Sequence, residues 1–134
     1  MSILTLLQVK SEDQTTRLQN LETALLAQEI PQVVATPNVA IIPGKEQIFL
    51  TYAGITTITL ANPIAGTPIS GGQDGATLTI TDTKGYAHTI TTGANGINGA
   101  KHIATFSAAM GSSFTLKAYN GSWWMQTGTG VTLS

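Results

Sequence analysis

The feature that most constrains this chain is where its glycines and prolines fall. Residues 1–30 contain neither, and residues 31–134 contain all 14 glycines and all 5 prolines. Both residues punctuate regular structure. The first segment can therefore be one uninterrupted helix, while the second must be cut into short pieces. The boundary is abrupt, at Ile30-Pro31, and a helix normally ends at or before the residue preceding a proline.

Within the first segment, Ser11-Glu12-Asp13-Gln14 reads as a capping box: Ser11 accepts from a first-turn N–H and Gln14 reaches back to the cap. Glu12 and Asp13 sit where the helix dipole favours negative charge. The pattern predicts a helix from Ser11 to Glu29. Its apolar stripe is a narrow seam, with Leu18 and Leu25 at heptad position a and Leu21 at d. Arg17 then falls at g and Glu22 at e of the next heptad, the spacing of an interhelical ion pair. A short coiled coil is the expectation, and packing of the stripe on the chain's own domain is the alternative. The seam also extends back through Gln14, Ser11, Leu7 and Leu4, which would make one longer helix. The cap at Ser11 favours the shorter one. Residues 1–10 are then an apolar arm carrying Ile3, Leu4, Leu6, Leu7 and Val9. No basic segment precedes that arm and no small-residue cleavage site follows it, so a signal peptide is not expected. No apolar run reaches the ~18 residues of a membrane span.

Residues 31–45 read as a linker, because Pro31, Pro37 and Pro43 separate short apolar pieces and favour extended backbone. From residue 46 to 134 the pattern is strand after strand. The expected strands are Gln47–Tyr52, Ile55–Leu60, Thr77–Thr81, Tyr86–Thr92, Ile103–Ser107, Phe114–Tyr119, Ser122–Thr127 and Val131–Leu133. Asp82-Thr83-Lys84-Gly85 reads as a hairpin turn, and Asn120-Gly121 is the favoured type I′ pair. About eight short strands with glycine-rich turns indicate a mainly β domain, an antiparallel jelly-roll-like sandwich or barrel, preceded by the arm and one α-helix.

Charge sharpens this picture. Only 10% of residues are charged, and the net charge is -1, where about a quarter charged is typical. Six of the 13 charges lie in residues 1–30, so the β-domain is nearly stripped of them. Threonine takes their place, with 22 copies against 8 serines. It is β-branched and suits a pleated strand, and its hydroxyl tolerates water or a partner surface. Charge depletion marks interface cores, so much of this domain is expected to face other subunits. There is no basic field to hold a phosphate backbone, and nucleic acid is not an expected partner; nor is a membrane.

Little in the sequence points to catalysis. The chain has no cysteine, which removes disulfides and thiolate metal sites. Glu46, Asp74 and Asp82 are the acids of the β-domain, and the two aspartates sit in turn sequences. His88 shares a strand face with Tyr86 and Ile90 and reads as a half-buried, hydrogen-bonded residue, while His102 lies in a loop. A single histidine on a three-fold axis is the one metal arrangement left open. The segments Gly71–Gly75 and Gly93–Gly99 lack the residues of phosphate or dinucleotide loops and read as turns. Neither an enzyme nor a cofactor is expected. In Trp123-Trp124, strand alternation turns one ring inward and the other outward. The outward ring, near Tyr119, covers a subunit contact or stacks on a sugar, with the subunit contact favoured.

The β-domain resembles a family of small trimeric phage virion domains found in capsid decoration proteins and head fibres. The resemblance rests on the runs Asp74–Ile80, Ala87–Thr91, Ala104–Phe106, Gly111–Leu116 and Ala118–Trp123, and spans roughly residues 55–134. It implies a homotrimer with no catalysis. Leu18, Leu21, Leu25, Arg17 and Glu22 are then expected at the trimer interface. The arm is expected to anchor to the major capsid protein, with strand addition as one mode. The implied location is the capsid surface of a virion assembled in the host cytoplasm. Related domains also occur in tail fibres, so a receptor- or carbohydrate-binding tip using Trp123, Trp124 and Tyr119 is the second expectation.

Overall fold

The computed structural model describes residues 3–134. The chain divides into two units, one ending at Ile30 and one running from Pro31 to Ser134. In the first, a single helix, α1, spans Ile3–Glu29. The expected start at Ser11 is therefore corrected: the capping-box residues lie inside the helix. An N-cap contributes about 1 kcal/mol and needs non-helical backbone at Ser11. Continuing the helix instead adds one hydrogen bond per residue with no new nucleus to form, and Ile3–Lys10 contains no glycine or proline to stop it. Thr15, Thr16 and Thr23 each donate their hydroxyl to the carbonyl four residues back, at 2.9–3.1 Å.

The second unit has nine strands: β1 (Gln32–Val34), β2 (Gln47–Leu50), β3 (Thr57–Thr59), β4 (Thr77–Asp82), β5 (Thr89–Thr91), β6 (Ile103–Phe106), β7 (Ser113–Tyr119), β8 (Ser122–Thr129) and β9 (Val131–Leu133). They form a five-stranded sheet, β1-β2-β4-β7-β8, and a four-stranded sheet, β3-β5-β6-β9. The domain is mainly β, as expected, but neither sheet closes into a barrel and neither is purely antiparallel. β1–β2, β2–β4 and β3–β5 are parallel. From β2 to β5 the chain changes sheet at every connection, so neighbours within a sheet are two strands apart in sequence and point the same way.

The turn after β4 shows why. Asp82–Gly85, expected to close a hairpin, instead carries the chain into the other sheet, where β5 pairs with β3 and β6. The Asp82 carboxylate shapes it, accepting the N–H groups of Lys84, Gly85 and Tyr86 at 2.9, 3.1 and 2.9 Å. The Asn120-Gly121 hairpin is present, with both residues at positive φ (49° and 81°), as a type I′ turn requires.

Residues 31–45 are not a linker. β1 pairs with β2, and Val34 and Ile41 are buried. The buried Gln32 clamps the segment, donating to the Ala40 carbonyl (3.0 Å) and accepting from the Ile42 N–H (2.7 Å). Prolines set extended backbone here, and burial then recruits that backbone into the sheet.

Both sheets share one core, in which Ile48, Leu50, Leu78, Ile80, Phe114 and Leu116 meet Ile58, Ile90, Ala104 and Phe106. Phe106 and Phe114 join the two sheets edge to face, with centroids 5.6 Å apart. The outward faces carry the threonines in register. Thr57, Thr89, Thr105 and Thr132 form one row across the whole four-stranded sheet. Thr79 and Thr115 pair on the other sheet, and the hydroxyls of Thr57–Thr89 and Thr79–Thr115 lie 3.1 Å apart. Cross-strand hydroxyl pairs of this kind stabilise a sheet face without charge.

Candidate functional site

Three places hold the residues singled out from sequence. The first is α1. Leu18, Leu21 and Leu25 are 61%, 58% and 51% exposed, and their spacing lays them along one helix face. Arg17 pairs with Asp13 in its own helix, at 3.1 Å and largely in solvent; Glu22 is exposed. The backbone of Ile3, Leu4, Leu6, Leu7 and Val9 is helical. The anchoring role assigned to their side chains lies outside what the structure describes. An extended arm adding a strand to a partner is not the conformation found.

The second place is the outward face of the β7–β8 hairpin. Alternation sends Trp123 inward, where it is buried and its Nε1 donates to the Ala61 carbonyl at 2.9 Å. Trp124 points outward and is 39% exposed. Its Nε1 donates to the Tyr119 carbonyl (3.1 Å). Carbons of the same ring edge lie beside Gly99, where an added Cβ would stand 3.4 Å from Cη2. The indole is thus held along one edge. Next to it is an open groove of about 270 Å³, lined by Gly75, Lys117, Ala118, Tyr119, Trp124 and Gln126. Tyr119 and Trp124, named from sequence, meet here, and Trp123 does not. Lys117 and Gln126 were missed. Counting back from Asn120-Gly121 places Lys117 opposite Trp124, and that register is the one found. Gln126 sits at a bulge beside Thr115/Leu116, which no local pattern announces.

The third place is interior. Asp82 and His88 are both fully buried. His88 Nε2 lies 3.7 Å from Asp82 Oδ1, too far for a hydrogen bond, and neither ring nitrogen has a hydrogen-bond partner. The half-buried, bonded histidine expected from sequence is therefore corrected, because the residue's strand face is closed over by the core. Burial holds its imidazole below the ordinary 6.5, and the Asp82 carboxylate only partly offsets this. The Asp82 oxygens are occupied by backbone N–H groups, which makes Asp82 a turn-building residue. Among the described residues, no three His, Asp or Glu side chains gather to hold a metal ion. Comparison with protein-family models and with curated proteins finds no match to this chain.

Proposed function

We propose that this chain is a bacteriophage virion structural protein, a homotrimer that decorates the capsid and ties neighbouring capsid subunits together against internal DNA pressure. The resemblance of residues 55–134 to trimeric decoration and head-fibre domains supports the class and the number three. The observation that carries self-association is the exposed seam of Leu18, Leu21 and Leu25 on an unbroken helix. The same heptad positions run back through Gln14 and Ser11 to Leu7 and Leu4. A polar pair in an apolar seam fixes the register of parallel helices at a cost in stability. Docking on the capsid protein then uses Ile3, Leu6 and Val9, which lie off the seam positions Leu4 and Leu7, and three copies on one trimer raise avidity above the affinity of one.

Removal of residues 1–10 tests the anchor. The expected product is a folded trimer that no longer binds purified capsids, and retained binding overturns the assignment. The copy number in purified virions tests the location: hundreds of copies fit a capsid coat, and a handful excludes it.

A further inference from the structure

We propose that the Trp124 groove is a binding site for an acidic saccharide, in which a pyranose ring lies on Trp124 and a sugar carboxylate meets Lys117. Three observations lead there. The aromatic platform is built in advance, because the indole is held by the Tyr119 carbonyl and seated beside Gly99. Pre-organisation of this kind lowers the cost of binding. Gly75 lines the groove and carries no side chain to fill the space beside the ring. The volume of about 270 Å³ is near the lower end for small-ligand pockets. A sugar ring has an apolar C–H face for the indole and hydroxyl edges for the Gln126 amide and the Tyr119 phenol.

The charge balance selects an acid. Lys117 is exposed and is the charged residue lining the groove. Asp74, which precedes Gly75 and is not among the groove's lining residues, accepts the Asn120 N–H at 2.8 Å. Residues 46–134 have three lysines and three acids, and one of those acids, Asp82, is buried away from the surface. A lysine in a concave, aromatic-walled space also argues against a subunit contact, since lysine is depleted at interface cores. Backbone lining the groove is already paired at two points: the Gly75 N–H bonds the Ala118 carbonyl, and the Ala118 N–H bonds the Ala76 carbonyl, both at 2.8 Å.

The site does not depend on the decoration reading, and its test does not involve capsids. The probes are trigalacturonate and the neutral trisaccharide maltotriose, titrated calorimetrically into the full chain at low salt. The expected result is saturable binding of trigalacturonate with Kd of about 1 mM or tighter. Maltotriose should bind about fivefold more weakly, the worth of one exposed ion pair. Trp124→Ala should weaken trigalacturonate binding by at least about tenfold, and Lys117→Met by about fivefold. The exposed Lys117→Met and Tyr119→Ala variants keep the proposal testable if Trp124→Ala does not fold. No saturation with either probe by about 10 mM, or unchanged binding in a folded Trp124→Ala, overturns the site. Equal affinity for the two probes overturns its preference for acid. A lower oligomeric mass in Trp124→Ala assigns the ring to a subunit contact and overturns it as well.

Discussion

The two units handle burial in opposite ways. Every side chain described between Ser11 and Glu29 is exposed, whereas 16 apolar side chains from Val34 to Trp123 close into one core. The β-domain therefore carries its own stability. A helix in a protein draws most of its stability from packing of one face, and α1 is 27 residues long. This difference explains the split in charge. The helix carries its charges on exposed side chains, while the β-domain presents paired threonine hydroxyls and has few charges. It also yields predictions that rank by how much buried structure each one disturbs.

The largest effect should follow Phe114→Ala. Phe114 is 1% exposed and meets Phe106 across the two sheets, and truncating a buried phenylalanine costs about 3–5 kcal/mol. Urea unfolding followed by tryptophan fluorescence reads it, since Trp123 reports the same core. If the helix and the β-domain unfold separately, helical circular dichroism should survive where the fluorescence transition has moved. Loss of both signals together would break the comparison. Next is Asp82→Ala, which leaves three N–H groups of the sheet-changing turn unpaired. The expected cost is about 3 kcal/mol, from about 1–3 kcal/mol per buried unsatisfied group with partial relaxation. A loss below about 1 kcal/mol would mean the turn holds its shape without the carboxylate.

On the helix side, Leu21→Ala should lower the oligomeric mass by light scattering and make the helix melt at lower temperature on dilution. A leucine buried by association contributes about 1.5–3 kcal/mol, and a helix that folds by associating has a concentration-dependent midpoint. The β-domain transition should not move. An unchanged mass in Leu21→Ala would remove the seam as the site of assembly.

Legibility in the sequence divides along the same line. The helix, its end at Pro31 and the Asn120-Gly121 hairpin are local features, readable from neighbouring residues. The start of α1 was not, because a capping box at Ser11 competes with helix-compatible residues on both sides, and only propagation decides between them. The parallel pairings were not legible either. Asp82–Gly85 has hairpin composition, and the choice of partner sheet depends on contacts far along the chain. Gln32 shows the same limit, since its two amide contacts lie eight and ten residues away. At the candidate groove, alternation revealed that one tryptophan faces outward, and the turn register identifies Lys117. The floor at Gly75 comes from a neighbouring segment and left no signal.

Acid should affect the two units differently. The folded β-domain holds His88 neutral and buried, with its pKa below the 6.5 of a free imidazole. As pH falls through about 6.5, the unfolded chain takes up a proton that the folded chain refuses. Stability is therefore full above that value and declines on acidification toward the folded pKa, by at most about 1.4 kcal/mol per pH unit for one proton. His88→Leu should flatten the slope between pH 7 and 5, measured by urea midpoint; a slope unchanged in that variant assigns the pH dependence elsewhere.

The smallest effect is also the most specific probe of the helix. Arg17 has two candidate partners, Asp13 in its own helix at 3.1 Å and Glu22 of a second helix, by heptad position. An exposed pair of either kind is worth only about 0.3–0.5 kcal/mol, so single variants will not separate them, but a double-mutant cycle will. The Asp13 pair contributes to each helix whether or not it associates, so an Asp13→Asn and Arg17→Gln cycle should give the same coupling at all protein concentrations. The Glu22 pair exists only between copies, so coupling in a Glu22→Gln and Arg17→Gln cycle should appear in the dissociation constant. If that second coupling is zero while the Leu21→Ala variant still dissociates, the seam associates through its leucines alone, and the ion pair stays within one helix.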